Sequence, residues 1–129
     1  MERATRWKHA FSGKLMSRHV DSEVLAQLEQ LMGADFSRLI ATYLRDASAS
    51  FAQMQNARAA ADVEGLRRSA HSLKGGALNI GAVALAELCA EVENAARDGE
   101  LSRIAALLVN VADELQGVQS ALHDRRVAH

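Results

Sequence analysis

Between Arg67 and Ala82 the chain reads RRSAHSLKGGALNIGA, with a histidine and a lysine three positions apart and two consecutive glycines directly after the lysine. A neutral imidazole is a nucleophile near pH 7 that needs no dedicated base, and an ammonium beside it would offset the charge of a phosphoryl group held there. The glycines are the unusual part. Each disfavours helix by roughly 0.8–1 kcal/mol relative to alanine, so Gly75 and Gly76 inside a helical pattern require a compensating reason, and close approach by another molecule is one.

The surrounding apolar spacing shows how those residues must be presented. From a cap at Asp62, the residues Val63, Leu66, Ala70, Leu73, Ala77 and Ile80 recur at three-and-four spacing, and Gly81 suits a left-handed helix end. At about 100° per residue the core positions gather on one side and His71 falls roughly opposite their centre. Arg67, Arg68, Lys74, Gly75 and Leu78 share its side. His71 is therefore predicted to face water, which argues against a buried structural histidine. A metal site would need further ligands one turn away, and Arg67, Arg68, Lys74 and Gly75 supply none. Lys74 one turn on and Arg67 one turn back would flank a phosphoryl group, Gly75 would clear the approach, and an exposed Leu78 would offer an apolar contact. A solvated basic face fits the same residues, and the pattern alone leaves both readings open.

The remaining elements follow the same periodicity. Asp21 or Ser22 can cap a helix carrying Val24, Leu25, Leu28, Leu31 and Met32 that stops near Gly33. Asp35 is expected to cap a long helix with Phe36, Leu39, Ile40, Tyr43, Leu44, Ala47, Phe51 and Met54, ending near Ala60. After the His71 helix, one carries Leu85, Leu88, Cys89 and Val92 and closes at Asp98-Gly99. The last carries Leu101, Ile104, Leu108, Val111, Leu115, Val118 and Leu122. Short connections favour antiparallel neighbours, so the expected fold is all-α, an up-down four-helix bundle with one or two accessory N-terminal helices. Residues 1–20 read as a linker or accessory helix, with Trp7, Phe11 and Leu15 on one stripe interrupted by Gly13, and 21–129 as the bundle.

Composition narrows the classes of function. The 129 residues fit one domain, and the absence of proline together with few aromatics disfavours a sheet protein. Fifteen basic against sixteen acidic residues give a net charge of −1, too balanced to recommend nucleic acid or an anionic membrane surface as partner. No window approaches the ~18 apolar residues of a membrane span, and the basic N-terminus lacks a signal-peptide core. The single cysteine, Cys89, excludes an internal disulfide and reads as a packed core thiol. Glu87, Glu91 and Glu93 read as a solvated helix face, and His9, His19, His123 and His129 have no consistent partners. A Walker-type phosphate loop is absent, so no autonomous ATP-dependent kinase activity is expected.

HSLKGGALNIGA, preceded by Asp62 and Leu66 and followed by LAELCAEVENAARDGEL, closely resembles the histidine-containing phosphotransfer domain of bacterial two-component phosphorelays. That family's motif is a histidine, a leucine two residues on, then lysine and glycine, with a further glycine-alanine at the helix end. The resemblance runs from about Asp21 to the C-terminus. It implies that His71 accepts a phosphoryl group from a receiver-domain aspartate and passes it to another receiver, with Lys74 beside the phosphoryl group and Gly75 as cleared docking surface. Arg67, Arg68 and Leu78 are added from helix geometry alone. The resemblance further implies no bound cofactor, magnesium residing on the receiver, and a cytoplasmic location, either free-standing or as the C-terminal domain of a hybrid sensor kinase with its histidine kinase in cis. Gly76 departs from the family, which often has serine there. The competing expectation is a helix-bundle interaction module that sequesters a regulator or enzyme, with phosphorylation secondary.

Overall fold

The computed structural model describes residues 19–127, with side chains to Arg125. Within them the elements are α1 (Ser22–Met32), a 3-10 turn (Gly33–Asp35), α2 (Phe36–Ala59), α3 (Val63–Asn79), α4 (Val83–Arg97) and α5 (Leu101–Val127). The expected stripe of Trp7, Phe11 and Leu15 lies outside the described residues, so α1 is the one accessory helix described.

Helices α2 to α5 form the bundle, each in contact with its chain neighbours and α5 closing back on α2. Their apolar stripes converge on one core, in which Ile40, Met54, Leu66, Ala70, Ala77, Leu85, Cys89, Val92, Ile104, Val111, Val118 and Leu122 have no exposed surface. The most extensive contact joins α3 to α4. Buried small side chains suit it: Ala70 and Ala77 on α3, and Ala86 and Ala96, which lie within about 60° of Glu93 around α4, are all buried, and alanines let two helix backbones approach closely without voids.

The helix ends are set by local chemistry. Asp21 and Asp62, both in extended conformation, cap α1 and α3 by accepting from the Glu23 and Gly65 N–H groups, each at 2.9 Å. At the end of α3, Gly81 takes φ 78° while the Ala82 N–H donates to the Ala77 carbonyl and the Gly81 N–H to Leu78, the paired bonds of a Schellman cap. Gly81 is doubly constrained, since its carbonyl also accepts from the Asp21 N–H at 2.9 Å and an added Cβ would lie 3.0 Å from both Asp21 Cβ and Val24 Cβ. That contact seats α1 across the end of the bundle, and the Arg125–Glu29 ion pair at 2.9 Å ties α5 to it.

Three expectations need correction. Asp35 does not cap α2 with its side chain: it lies in the helical region at φ −82° and ψ −5°, because α1 runs into α2 through the 3-10 turn and the Phe36 N–H is satisfied by the Gly33 carbonyl. Leu31 is 81 % exposed, not part of the α1 core stripe. Six residues after buried Leu25, it stands roughly 120° around the helix, beyond the one face that α1 lays on the bundle. Val63 and Leu101, each the first residue of its helix, are also exposed, since the stripe begins one turn further in.

Candidate functional site

Helix α3 is anchored on its buried face and bare on the other. Leu66, Ala70, Leu73 and Ala77 are buried, as is Ser69, whose hydroxyl donates back to the Gly65 carbonyl at 2.7 Å and contacts that of Leu66 at 3.2 Å. The hydroxyl is thereby satisfied without leaving the helix. His71 points to the outside with two-thirds of its side chain exposed, where the periodicity put it.

The imidazole is not free-standing. Its Nδ1 lies 2.9 Å from Oε2 of Glu93, and the other carboxylate oxygen of Glu93 is 2.6 Å from Lys74 Nζ. The Lys74 contact is a close ion pair whose alignment is poor for a hydrogen bond. Glu93 reaches across from α4, directly after fully buried Val92, and its side chain is only 12 % exposed. Burial raises its pKa, but Lys74 and His71 more than offset that and hold the carboxyl below the usual carboxylate range. No described residue hydrogen-bonds His71 Nε2.

The other candidate residues divide. His71 and Lys74 are brought together through the carboxylate they share. Arg67 is turned to its own helix, where its guanidinium pairs with Glu64. Arg68 lines a depression between α2 and α3 with Gln53, Asn56 and Ser72. Neither arginine forms an ion pair with Glu93 among the described residues. Leu78 is 56 % exposed on the His71 face.

The two glycines have different surroundings. A Cβ added to Gly75 would meet nothing within 4 Å, whereas one added to Gly76 would come within 3.2 Å of Cε1 of Tyr43, whose ring lies against the α3 backbone. Gly76 thus answers to packing inside the molecule. For Gly75 no internal contact offers a reason.

Glu93 corrects the expectation that Glu87, Glu91 and Glu93 form a solvated face. Glu87 is exposed, and Glu91 pairs with Arg103 at 3.3 Å with both side chains about half exposed, but Glu93 turns inward to α3. The sequence held a signal: Glu93 follows buried Cys89 by four residues, at the margin of the α4 stripe. Together the three side chains offer a nucleophilic ring nitrogen, an acceptor fixing the opposite nitrogen, and a cation. They provide two metal-ligating groups, fewer than a zinc site requires.

A family model described as the Hpt domain matches residues 38–121. The crystal structure of histidine-containing phosphotransfer protein B from Pseudomonas aeruginosa PAO1 is similar at 37 % identity with a TM-score of 0.83, covering 86 % of this chain and 96 % of that one. A histidine-containing phosphotransfer protein from maize shares the fold at a TM-score of 0.80 and 17 % identity, covering 92 % of this chain and 98 % of its own. A search of curated proteins finds no match.

Proposed function

This chain belongs to the Hpt domain family and has a role in phosphorelay signalling, and from that premise we propose that His71 is the residue that carries the phosphoryl group. It accepts the group from an aspartyl phosphate of a receiver domain and delivers it to an aspartate of a second receiver, reversibly. The supporting observation is the setting of His71: exposed on α3, one ring nitrogen engaged by Glu93, the other engaged by no described residue, one turn from bare Gly75.

Each neighbour has a task in this reading. Lys74 supplies positive charge beside the incoming group. Gly75 and Leu78 give the receiver a flat backbone and an apolar contact, while Arg67 and Arg68 flank the docking face as charges one turn away. The chain acts as a positioned co-substrate, and the magnesium belongs to the receiver. We place the domain in the cytoplasm, where receivers reside, either alone or at the end of a hybrid sensor kinase. Among the described residues, no helix is long and apolar enough to cross a membrane.

The test is phosphoryl transfer from labelled receivers encoded alongside this chain to the purified protein, wild type against His71→Ala. Label is expected on the wild type and not on the variant. Failure of every receiver to transfer overturns the proposal, and receiver binding without transfer, unchanged in His71→Ala, would establish a sequestering module instead.

A further inference from the structure

On the side of the bundle diagonal to the α3–α4 seam, α2 and α5 are the most sparsely joined pair of neighbouring bundle helices. A groove runs along their seam, lined by Phe51, Gln55 and Arg58 of α2 and by Ala105, Val109 and Ala112 of α5. Its floor is apolar, since Phe51 packs on the core and Leu108 belongs to it. Val109 stands 60 % exposed beside that floor. Val63 and Leu101 are exposed as helix starts and Leu78 lies on the His71 face, but Val109 is two turns inside α5 and has neither reason.

The chain joins the bundle on a neighbouring face of α5. His19, expected to have no consistent partner, places its Nδ1 2.8 Å from Oε2 of Glu114, whose side chain is only 16 % exposed. The His19 ring lies on Gly117, where any Cβ would collide with it, and Val20 next to it is buried. The residues before this anchor differ in charge from the rest. Five of the 15 basic residues and one of the 16 acidic ones precede His19, leaving ten basic and fifteen acidic residues in the remainder. A basic segment is therefore tethered to an acidic bundle, and it carries Trp7, Phe11 and Leu15 at helical spacing.

We propose that residues 1–18 are the occupant of the α2–α5 groove, with Trp7, Phe11 and Leu15 laid along it as a strap over the most open seam of the bundle. The reach is sufficient. Val109 lies eight residues before Gly117 on α5, two turns away and about 80° around the helix, and the four residues from Leu15 to His19 span up to about 13–14 Å. Leu15 thus crosses the outer face of α5 to the near end of the groove. From there to Trp7 is about 12 Å of helix, against about 11 Å from Ala112 to Ala105. In this direction Lys14 and Arg18 fall at the end where Asp113 lines the groove, and Glu2, the segment's one acid, falls towards Arg58 at the other. A helix this short is marginal in water by itself, and the groove supplies the apolar surface against which its two aromatic rings are buried. The strap leaves the His71 face uncovered and does not depend on the relay reading.

Trp7 is the only tryptophan of the chain, so its fluorescence reports on the segment directly. In the full chain its emission is expected to be blue-shifted and poorly quenched by acrylamide. Val109→Asp and Phe11→Asp each put a charge on one side of the contact, and both are expected to move the emission towards that of the urea-unfolded protein and to raise quenching several-fold. Leu31→Asp, at a residue 81 % exposed on α1, is the control and is expected to leave Trp7 unchanged. Helicity by circular dichroism is expected to persist in all three variants. A solvent-exposed Trp7 in the wild type overturns the proposal. So does a buried Trp7 that ignores Val109→Asp or responds equally to Leu31→Asp, either of which would put the segment on another surface. A blue shift that fades on dilution, with a dimer in sedimentation, overturns it in favour of a second copy filling the groove.

Discussion

Gly75 and Gly76 are chemically identical neighbours held for opposite reasons. Gly76 has the Tyr43 ring against it, so a leucine there would overpack α2 against α3 and should destabilise the domain by about 1–3 kcal/mol. Gly75 faces open space, so the Gly75→Ala variant should be more stable by roughly 0.8–1 kcal/mol. Denaturant unfolding of the two variants checks both signs, and a stabilised Gly75→Ala would show that the glycine is held for something outside the fold. Cys89 is a further single-residue case. Burial first, with nearby Glu93 adding and Lys74 opposing, pushes its thiol up to about 12, so the protonated form dominates in the folded state. Its contribution to stability is present below the ordinary thiol value of 9.0 and is lost as pH rises towards 12. A thiol reagent at pH 8 should label Cys89 slowly in the folded protein and rapidly once denaturant unfolds it.

At the scale of the element, the helix ends decide which face of α3 is presented. Asp62 starts the helix and Gly81 ends it, and both were legible because capping is a local transaction between a side chain or a φ angle and the nearest free backbone groups. One end is imperfect. The turn between α2 and α3 closes with the same paired bonds as the Gly81 cap, from Asp62 N–H to Ala57 and Ala61 N–H to Arg58, but the left-handed position is Ala61 at φ 55°. An L-residue there costs roughly 1–2 kcal/mol that glycine does not. Ala61→Gly should therefore raise the unfolding free energy by about 1 kcal/mol, less some of the gain to the greater freedom of glycine in the unfolded chain, as thermal or urea melts can show. Asp35, by contrast, has a capping residue's chemistry in the wrong conformation. Its sequence could not reveal that the preceding helix would feed directly into α2.

Across the whole molecule the α3–α4 contact joins stability to the site. Glu93 is ionised in the fold at pH values where a free glutamate would begin to protonate, because Lys74 and His71 outweigh its burial. A lowered folded pKa contributes stability that is complete above the ordinary value of 4.5 and disappears as pH falls through the folded value. The stability difference between wild type and Glu93→Gln should accordingly be present near neutrality and vanish on acidification below the carboxylate range. Urea midpoints measured across that range, with buffer salt held constant, would check it. A difference independent of pH would mean that the carboxylate's charge contributes nothing to the packing of α4 on α3.

The sequence by itself determined the helices, most of their caps, the shared core and the outward placement of His71. Each follows from periodicity or from chemistry within a few residues, and a histidine opposite an apolar stripe has only one place to go. It also placed Lys74 one turn from His71, since that spacing is fixed by the helix. The acceptor on His71 was decided only by the tertiary structure. Glu93 stands twenty-two residues further along on another helix, and whether it meets water or imidazole depends on the rotation and register of α4 against α3, which the packing of their buried faces sets. The two glycines were resolved in the same way: their strain was visible in one helix, but which of them answered to Tyr43 became visible only when α2 lay beside α3.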